Sequence, residues 1–365
     1  MTTTADDIVT LVGVGDVSPG REDGRADEQF WPTRQILRNA DITFGQLETL
    51  LSNRGKRQLF VGLGGGAWEG ELWDPDALAA PIGRAGFDVM SFAGNHTMDR
   101  SEESLFDSLD AAEKAGIRLV GAGKDIGAAR APAVLERRGN KVGFLAYCSV
   151  LPKGYEATPT RSGCAPLRAR THYEQVDWQP GTPPKRHSWC YSEDLSAMVE
   201  DVTKLRAEAD VVVVSFHWGI HFEPGTIGEY QFEAAHAAVD AGADLVLGHH
   251  AHIMKGVEVY KGKGIFYSLN NFVLFARDER ERILTADSPA TDSQKTLMVK
   301  ALIRNGAIEQ VRVVPIWFDH RVVPEAVPAS DWRSDAVFDY LRWCCEFESL
   351  DTKFERDGDE LVVLT

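Results

Sequence analysis

An apolar run of strand length that stops on a polar, chemically capable residue recurs along this chain and constrains its fold more than any other feature. Ile8 to Val14 stops at Gly15-Asp16, and Ile42 to Phe44 runs into Gln46-Leu47-Glu48. Phe87 to Ala93 ends at Gly94-Asn95-His96. Asp210 to Phe216, almost pure valine, leads to His217, and Asp244 to Leu247 leads to His249, His250 and His252. Helical patterns separate these runs: Phe30 to Asn39, Asp74 to Gly86, Ser101 to Ala115, Leu195 to Ala209 and Ile227 to Ala241. Asp74 is placed as a helix cap, with Pro75 at the first helical position. Strand, helix, strand is the unit of a parallel sheet. Other segments read as antiparallel strands: Ala133 to Cys148 folding at Gly139-Asn140, then Val257 to Tyr260, Gly264 to Tyr267, Thr296 to Ile303 and Ile308 to Trp317. The expectation is an α/β fold with a mixed sheet or two packed sheets.

Charge narrows the partners. Against 39 Lys and Arg stand 55 Asp and Glu, a formal net charge of −16. Such a surface repels nucleic acid phosphates and anionic membranes, so neither is expected as a partner. No stretch approaches the ~20 apolar residues of a membrane span. The N-terminus, MTTTADDIVTLVGVGD, lacks the basic start and apolar core of a secretory signal, which predicts a cytoplasmic protein. The five cysteines form no C-x-x-C pair and are expected to be reduced and buried, with Cys164 and Cys190, in one insertion, the pair to watch.

That insertion, Leu151 to Trp189, breaks the alternation. It holds six prolines and the aromatics Tyr155, Tyr173, Trp178 and Trp189, expected to be exposed. A connection this long is expected to be a lid or binding element. Residues 1–322 then form the main unit, with 151–189 as its lid. Residues 323–365, with Trp332, Tyr340, Trp343 and Phe347 at helical spacing, form a C-terminal helical extension packed on it.

The polar residues that end the strands fall where open α/β sheets place their sites. Singly they are ambiguous: Asp16 can be a turn residue, Glu48 a surface carboxylate, Asn95-His96 a turn and His217 a core histidine. Gly248-His249-His250-Ala251-His252 is more specific, because x-His-x-His at a strand end is a metal-ligand spacing.

Taken in chain order, GDVSPGR (Gly15 to Arg21), QLE (Gln46 to Glu48), GNHTMD (Gly94 to Asp99), HWG (His217 to Gly219), GHHAH (Gly248 to His252) and YSLNNFV (Tyr267 to Val273) resemble the CapA family of poly-γ-glutamate synthesis proteins. The resemblance implies a calcineurin-like metallophosphoesterase fold, a four-layer sandwich of two mixed β-sheets face to face, flanked by helices. It further implies that Asp16 and His252 serve one metal position and that Asn95, His217 and His250 serve another. The Glu48 carboxylate would lie between them, with His96 beside the metals as acid or base. Asp99, three residues on, is placed to fix the His96 tautomer. Trp218, His221 and Asn271, inside or next to these motifs, are the candidate substrate contacts. The chain departs from the family pattern at four points: Ser18 stands where phosphoesterases have histidine, Gln46 for asparagine, His221 for glutamate and Asn270 for glycine.

The loss at Ser18 shapes the functional expectation. One well-occupied divalent cation (Ca²⁺, Mn²⁺ or Mg²⁺) is expected rather than two. Asp16, freed from ligation, would pair with His252 as Asp99 pairs with His96. Two oriented histidines flanking a cation suit epimerisation at a peptide Cα, with a peptide or small carboxylate as substrate. Metal-dependent hydrolysis of an amide, ester or phosphoester is the alternative, and a non-catalytic accessory role in polymer synthesis is the third.

Overall fold

The computed structural model describes residues 7–20, 26–56, 74–274, 294–318 and 323–365. The chain opens with β1 (Val9–Val17), α1 (Arg34–Asn39), β2 (Ile42–Leu47), α2 (Pro75–Ala85), β3 (Val89–Ser91), α3 (Ser101–Lys114) and β4 (Arg118–Val120). Next come β5 (Ala122–Gly123), α4 (Ile126–Ala129), β6 (Ala133–Arg137), β7 (Asn140–Cys148), β8 (Gly163–Cys164), β9 (Ala169–Glu174) and β10 (Lys185–Cys190). The alternation resumes with α5 (Ser192–Arg206), β11 (Val211–His217), α6 (Glu229–Ala241) and β12 (Leu245–His249). Short strands follow: β13 (Val257–Tyr260), β14 (Lys263–Phe266) and β15 (Asn271–Val273). The long hairpin β16 (Lys295–Arg304) and β17 (Ala307–Phe318) leads to β18 (Pro324–Ala326). Last are α7 (Trp332–Phe347) and the hairpin β19 (Lys353–Asp357) and β20 (Glu360–Leu364).

Two mixed sheets result. One runs β19-β20-β17-β16-β1-β2-β3-β4, with β15 on β1 and β18 on β17; the other runs β13-β14-β12-β11-β7-β6. Strands joined through helices pair in parallel, β1 with β2, β2 with β3, β7 with β11 and β11 with β12. The hairpins pair antiparallel.

Side chains alternate between the faces of a strand, and the core divides accordingly. Leu11, Phe44, Phe144, Val213 and Leu247 meet between the sheets. There the rings of Phe44 and Phe144, one from each sheet, stack at 5.5 Å. Val12, Val14 and Met90 turn outward onto Leu37, Leu78, Ile82 and Leu105 of α1 to α3. Leu145, Val212 and Val214 turn outward onto Met198, Val202, Ala234 and Ala238 of α5 and α6. The order is helix, sheet, sheet, helix. Each large apolar side chain taken fully from water contributes about 1.5–3 kcal/mol.

Helix α7 packs on β16, β17 and β13, so it covers an edge of the inter-sheet core with Val337, Phe338 and Leu341. The expected C-terminal helix is this one; the strands β19 and β20 after it were not foreseen. They turn at Gly358, with φ +62°, and extend the first sheet through β20 on β17. The insertion is likewise not one loop, because it contributes β8, β9 and β10. Tyr173 and Trp178 are exposed, but Tyr155, against expectation, is only 4% exposed. All five cysteines are free and buried, and Cys164 and Cys190 each turn to a separate carbonyl, of Gly94 and Tyr230. Among the described residues no helix is long and apolar enough to cross a membrane.

Candidate metal centre

The carboxyl ends of the parallel strands from both sheets meet at one edge of the sandwich. Close backbone approach makes this feasible. A Cβ on Gly15 would fall 1.9 Å from the Asn270 carbonyl oxygen, and one on Gly248 would fall 2.2 Å from that of Tyr267. The Asp16 N–H donates to the Asn270 carbonyl and the Glu48 N–H to that of Val17, which fixes both carboxylates at the sheet end. Beyond β12 the chain turns through His250 (φ +86°) and His252 (φ +51°), with Asn270 (φ +66°) facing it. Non-glycine residues in this region cost about 1–3 kcal/mol each and concentrate at functional sites.

Donor atoms converge. His217 Nε2 lies 2.7 Å from Asn95 Oδ1, 3.1 Å from His250 Nδ1 and 3.7 Å from Glu48 Oε1. Donors bound to one cation at ~2.1 Å stand roughly 3–3.5 Å apart, and the distances from His217 Nε2 bracket that spacing. A second group shares Glu48: its Oε1 is 3.4 Å from His252 Nε2, and His252 Nδ1 is 3.8 Å from Asp16 Oδ2. Glu48, His217 and His250 could hold one ion, and Asp16, Glu48 and His252 another.

Two features test whether the donors fit cations. Asp16 Oδ1 and Glu48 Oε1 are buried without a hydrogen-bond partner, which is costly for carboxylates unless a positive charge compensates. Burial pushes Glu48 up to about 7, and burial with the neighbouring Glu48 charge pushes Asp16 well above the usual carboxylate range. Burial, with neighbouring histidines, holds His217 and His250 well below the usual imidazole value, so both are neutral donors. Burial also lowers His252. Neutral imidazoles, an amide oxygen and two oxygen-starved carboxylates fit a divalent cation.

His96 stands beside the cluster and is partly exposed. Its Nδ1 lies 2.7 Å from Asp99 Oδ2, and its Nε2 is 3.1 Å from Asn95 Nδ2. Burial alone would lower His96, but the Asp99 hydrogen bond and the charges of Asp99, Glu48 and Asp16 outweigh it and raise the imidazole. Tyr155 completes this arrangement. Its hydroxyl donates to Asp99 Oδ1 at 3.0 Å, so the insertion supplies the outer partner of the His96–Asp99 pair. An aromatic in a proline-rich segment gave no local sign of that contact.

The other expected residues fall into place differently. His252 stands within ion-pair distance of Asp16, at 3.8 Å, but is not hydrogen-bonded to it, because Asn271 Oδ1 takes its Nδ1 at 2.7 Å. Asp16 Oδ2 instead accepts the His250 N–H at 3.0 Å. Asn271 therefore orients His252 through its Oδ1. Trp218 is fully buried, its Nε1 donating to the Tyr267 carbonyl and its ring stacked on Phe216, so it is a core residue and cannot contact substrate. His221 is exposed, with its ring 3.9 Å from that of His250 and 5.1 Å from that of His252, at the mouth of the cluster. Ser18 is buried, its N–H donating to the Val273 carbonyl. His249, between Ser215 Oγ and the Val14 carbonyl, is a core histidine that burial lowers to about 4.

Four layers with a buried carboxylate–imidazole centre at the strand ends define a sandwich protein built around a candidate metal site. Within that class the chain belongs to the bacterial capsule synthesis protein family PGA_cap, whose model matches residues 9–275, a span holding every residue of the cluster. It is 26% identical over 335 residues to the PGA biosynthesis protein CapA of Bacillus subtilis, covering 90% of this chain and 75% of that one. Against the capsule biosynthesis protein CapA of Bacillus anthracis it is 26% identical over 316 residues, covering 84% and 67%. Against a probable polyglutamine synthesis accessory protein of Mycobacterium tuberculosis it is 30% identical over 229 residues, covering 59% and 55%. Among solved structures, the calcineurin-like phosphoesterase YfkN of Bacillus subtilis aligns with a TM-score of 0.44 and 11% identity, covering 94% of this chain and 98% of that one.

Proposed function

We propose that this protein is a metal-dependent enzyme that hydrolyses an amide bond in a peptide-like, carboxylate-bearing chain. The observation that carries this reading is Glu48 Oε1, a buried oxygen without a hydrogen bond that belongs to both donor groups. A carboxylate so placed suits two neighbouring cation positions. Asn95, Glu48, His217 and His250 would hold one cation tightly. Asp16, Glu48 and His252 would hold a second more weakly, since Ser18 brings no imidazole there. Imidazole beside amide and carboxylate oxygens favours a transition metal such as Mn²⁺ over Mg²⁺ or Ca²⁺, which take all-oxygen shells. A bound divalent cation supplies positive charge that polarises a substrate oxygen and stabilises the charge developing on it. Water adds through its oxygen to the amide carbon as the C–N bond breaks; His96, oriented by Asp99, gives a proton to the departing amine nitrogen and recovers one from the water that has added. The substrate class rests on the relatives, named for PGA, capsule and polyglutamine synthesis.

Epimerisation at a peptide Cα is the second reading, and the His96–Asp99 pair favours it as much as hydrolysis. It also needs an acid or base on the opposite face. His252 is the candidate, but its Nδ1 partner is the Asn271 amide and its Nε2 faces Glu48. That ranks epimerisation below hydrolysis. An accessory binding role in the cytoplasm or elsewhere would need neither step.

One experiment separates all three. The purified protein is loaded with Mn²⁺, its metal content measured, and oligoglutamate and mixed peptides incubated with it in deuterated water or in water enriched in heavy oxygen. Hydrolysis places heavy oxygen in a new carboxylate. Epimerisation places deuterium at Cα and leaves the backbone intact. A protein that takes up no cation and changes no peptide is an accessory binder, and the proposal fails.

A further inference from the structure

The β9–β10 hairpin stands out against the charge of the molecule. Residues 168–190 carry Arg168, Arg170, Lys185 and Arg186 against Glu174 and Asp177, a net +2, which leaves −18 for the rest of a chain of net charge −16. The hairpin is largely exposed away from its base, where Cys190 is buried, with Trp178 at its tip 87% exposed and Tyr173 63%. Directly paired residues share a face of a two-stranded ribbon. The register pairs Arg170 with Trp189, His172 with His187 and Lys185 with Glu174, so these six form one face. The Glu174 carboxylate there is taken by His187 Nε2 at 2.9 Å. Among the described residues neither Arg170 nor Lys185 has a carboxylate within 4 Å, though the Lys185 charge reaches Glu174 across the ladder; the Arg170 guanidinium lies 4.3 Å over the Tyr191 ring. This face therefore offers cations and an aromatic surface.

Arg186 on the opposite face, the backbone edge of β10 and His187, 3.5 Å from Glu229, fasten the hairpin to the site. Arg186 makes two hydrogen bonds to the Glu223 carboxylate, at 2.7 and 2.6 Å. The Ser188 and Cys190 N–H groups donate to Glu229 and Glu233 of α6. Glu223 lies in the loop that carries His221 over His250 and His252, and Lys255, buried beneath, donates its ammonium to the Glu223 carbonyl. The hairpin is thus tied, through one short loop, to the mouth of the candidate centre.

We infer that the β9–β10 hairpin is a docking arm for an acidic peptide-like chain, read by Arg170, Lys185 and the exposed Trp189 and Trp178, which brings that chain to the His221 mouth. The inference rests on the proposed peptide-like substrate, but not on any reaction. Charge complementarity selects the occupant. A flexible polycarboxylate meets attraction at this arm and repulsion from the surrounding −18, so the arm aligns it along one path. A stiff polyphosphate or a flat anionic membrane would bring its own charge against that acidic body as well.

Binding is measured on the chelator-treated protein, by the fluorescence anisotropy of labelled oligoglutamate, so catalysis plays no part. Salt-sensitive binding is expected, with oligoglutamine much weaker. Arg170→Glu together with Lys185→Glu should weaken oligoglutamate by about tenfold or more, and Arg170→Ala with Lys185→Ala by less. Thermal midpoints should stay unchanged, because both side chains are exposed. Absence of binding, equal binding of oligoglutamine, indifference to the charge reversal, or stronger competition from single-stranded DNA or anionic vesicles would overturn the inference. Binding that depends on the arm, without isotope incorporation in the experiment above, would sustain the arm and remove the hydrolase.

Discussion

At the scale of single residues, His96 and His250 differ in what surrounds them, and their replacement should differ in kind. His250 Nδ1 sits 3.1 Å from His217 Nε2 inside the donor group, so His250→Ala should abolish tight metal binding, read by elemental analysis after dialysis. His96 lies outside that group, held by Asp99. His96→Ala should keep the metal and slow turnover by roughly 10²–10⁴-fold, the usual contribution of one proton-transfer group. Loss of metal in His96→Ala would place that residue in the shell and undo its assignment as acid. The glycines of the motifs make a separate, structural prediction. A Cβ on Gly15 would sit 1.9 Å from the Asn270 carbonyl, a backbone atom that cannot swing aside. Gly15→Ala should therefore destabilise the fold by about 1–3 kcal/mol through enforced backbone shifts, read as a lowered denaturation midpoint. It should also lower metal affinity, because Asp16 and Asn271 move with those strands.

At the scale of elements, legibility followed the range of the interactions. The strands that end in Asp16, Glu48, Asn95, His217 and His250 are readable because an apolar run and the motif that follows it are adjacent in sequence, and the parallel register then brings the motifs together. The partner of His252 is not readable in this way. Spacing cannot distinguish Asp16 from Asn271 when β1 and β15, far apart in the chain, lie side by side, and only the packed backbone puts Asn271 Oδ1 at 2.7 Å. Tyr155 escaped for the same reason, since its hydrogen bond to Asp99 spans two segments with no shared periodicity. Trp218 misled because a tryptophan next to a motif histidine points the opposite way along the strand, into the helix-facing core. The β19–β20 hairpin did carry a local sign, Asp357-Gly358 followed by Leu361 and Val363 on one face, outweighed by the aromatic spacing of the helix before it. That helix gives a prediction of its own. Phe338 of α7 is fully buried in the inter-sheet core, so Phe338→Ala should cost about 3–5 kcal/mol, seen as a lower urea midpoint with little change in slope.

For the whole molecule, the charge buried at the strand ends ties stability to pH and to metal together. Two opposing sets titrate. Glu48, raised by burial from 4.5 to about 7, and Asp16, raised likewise, bind protons more tightly in the folded state than in the unfolded one. Their contribution is fully present below the unfolded carboxylate values and is lost as pH rises through the folded ones. His217, His250, His252 and His249, all lowered by burial from 6.5, bind protons less tightly when folded. Their contribution is present above pH 6.5 and is lost as pH falls below it. The histidines are more numerous, so the metal-free protein should lose stability on acidification below 6.5. Above that value Glu48 still titrates, and His96, raised by Asp99, titrates with it; both lose their contribution as pH rises, so stability should level off and then decline slightly. A cation changes the balance, because it requires neutral imidazoles and ionised carboxylates and displaces the protons that Glu48 and Asp16 would otherwise keep. Its stabilisation follows RT ln(1 + [L]/Kd), and Kd falls as those protons leave. The rise in melting temperature on adding Mn²⁺ should therefore be small near pH 5.5 and grow steadily to about pH 8. Differential scanning calorimetry with and without Mn²⁺ across that range is the measurement. A stabilisation independent of pH would mean that the ion binds elsewhere, away from Glu48 and Asp16.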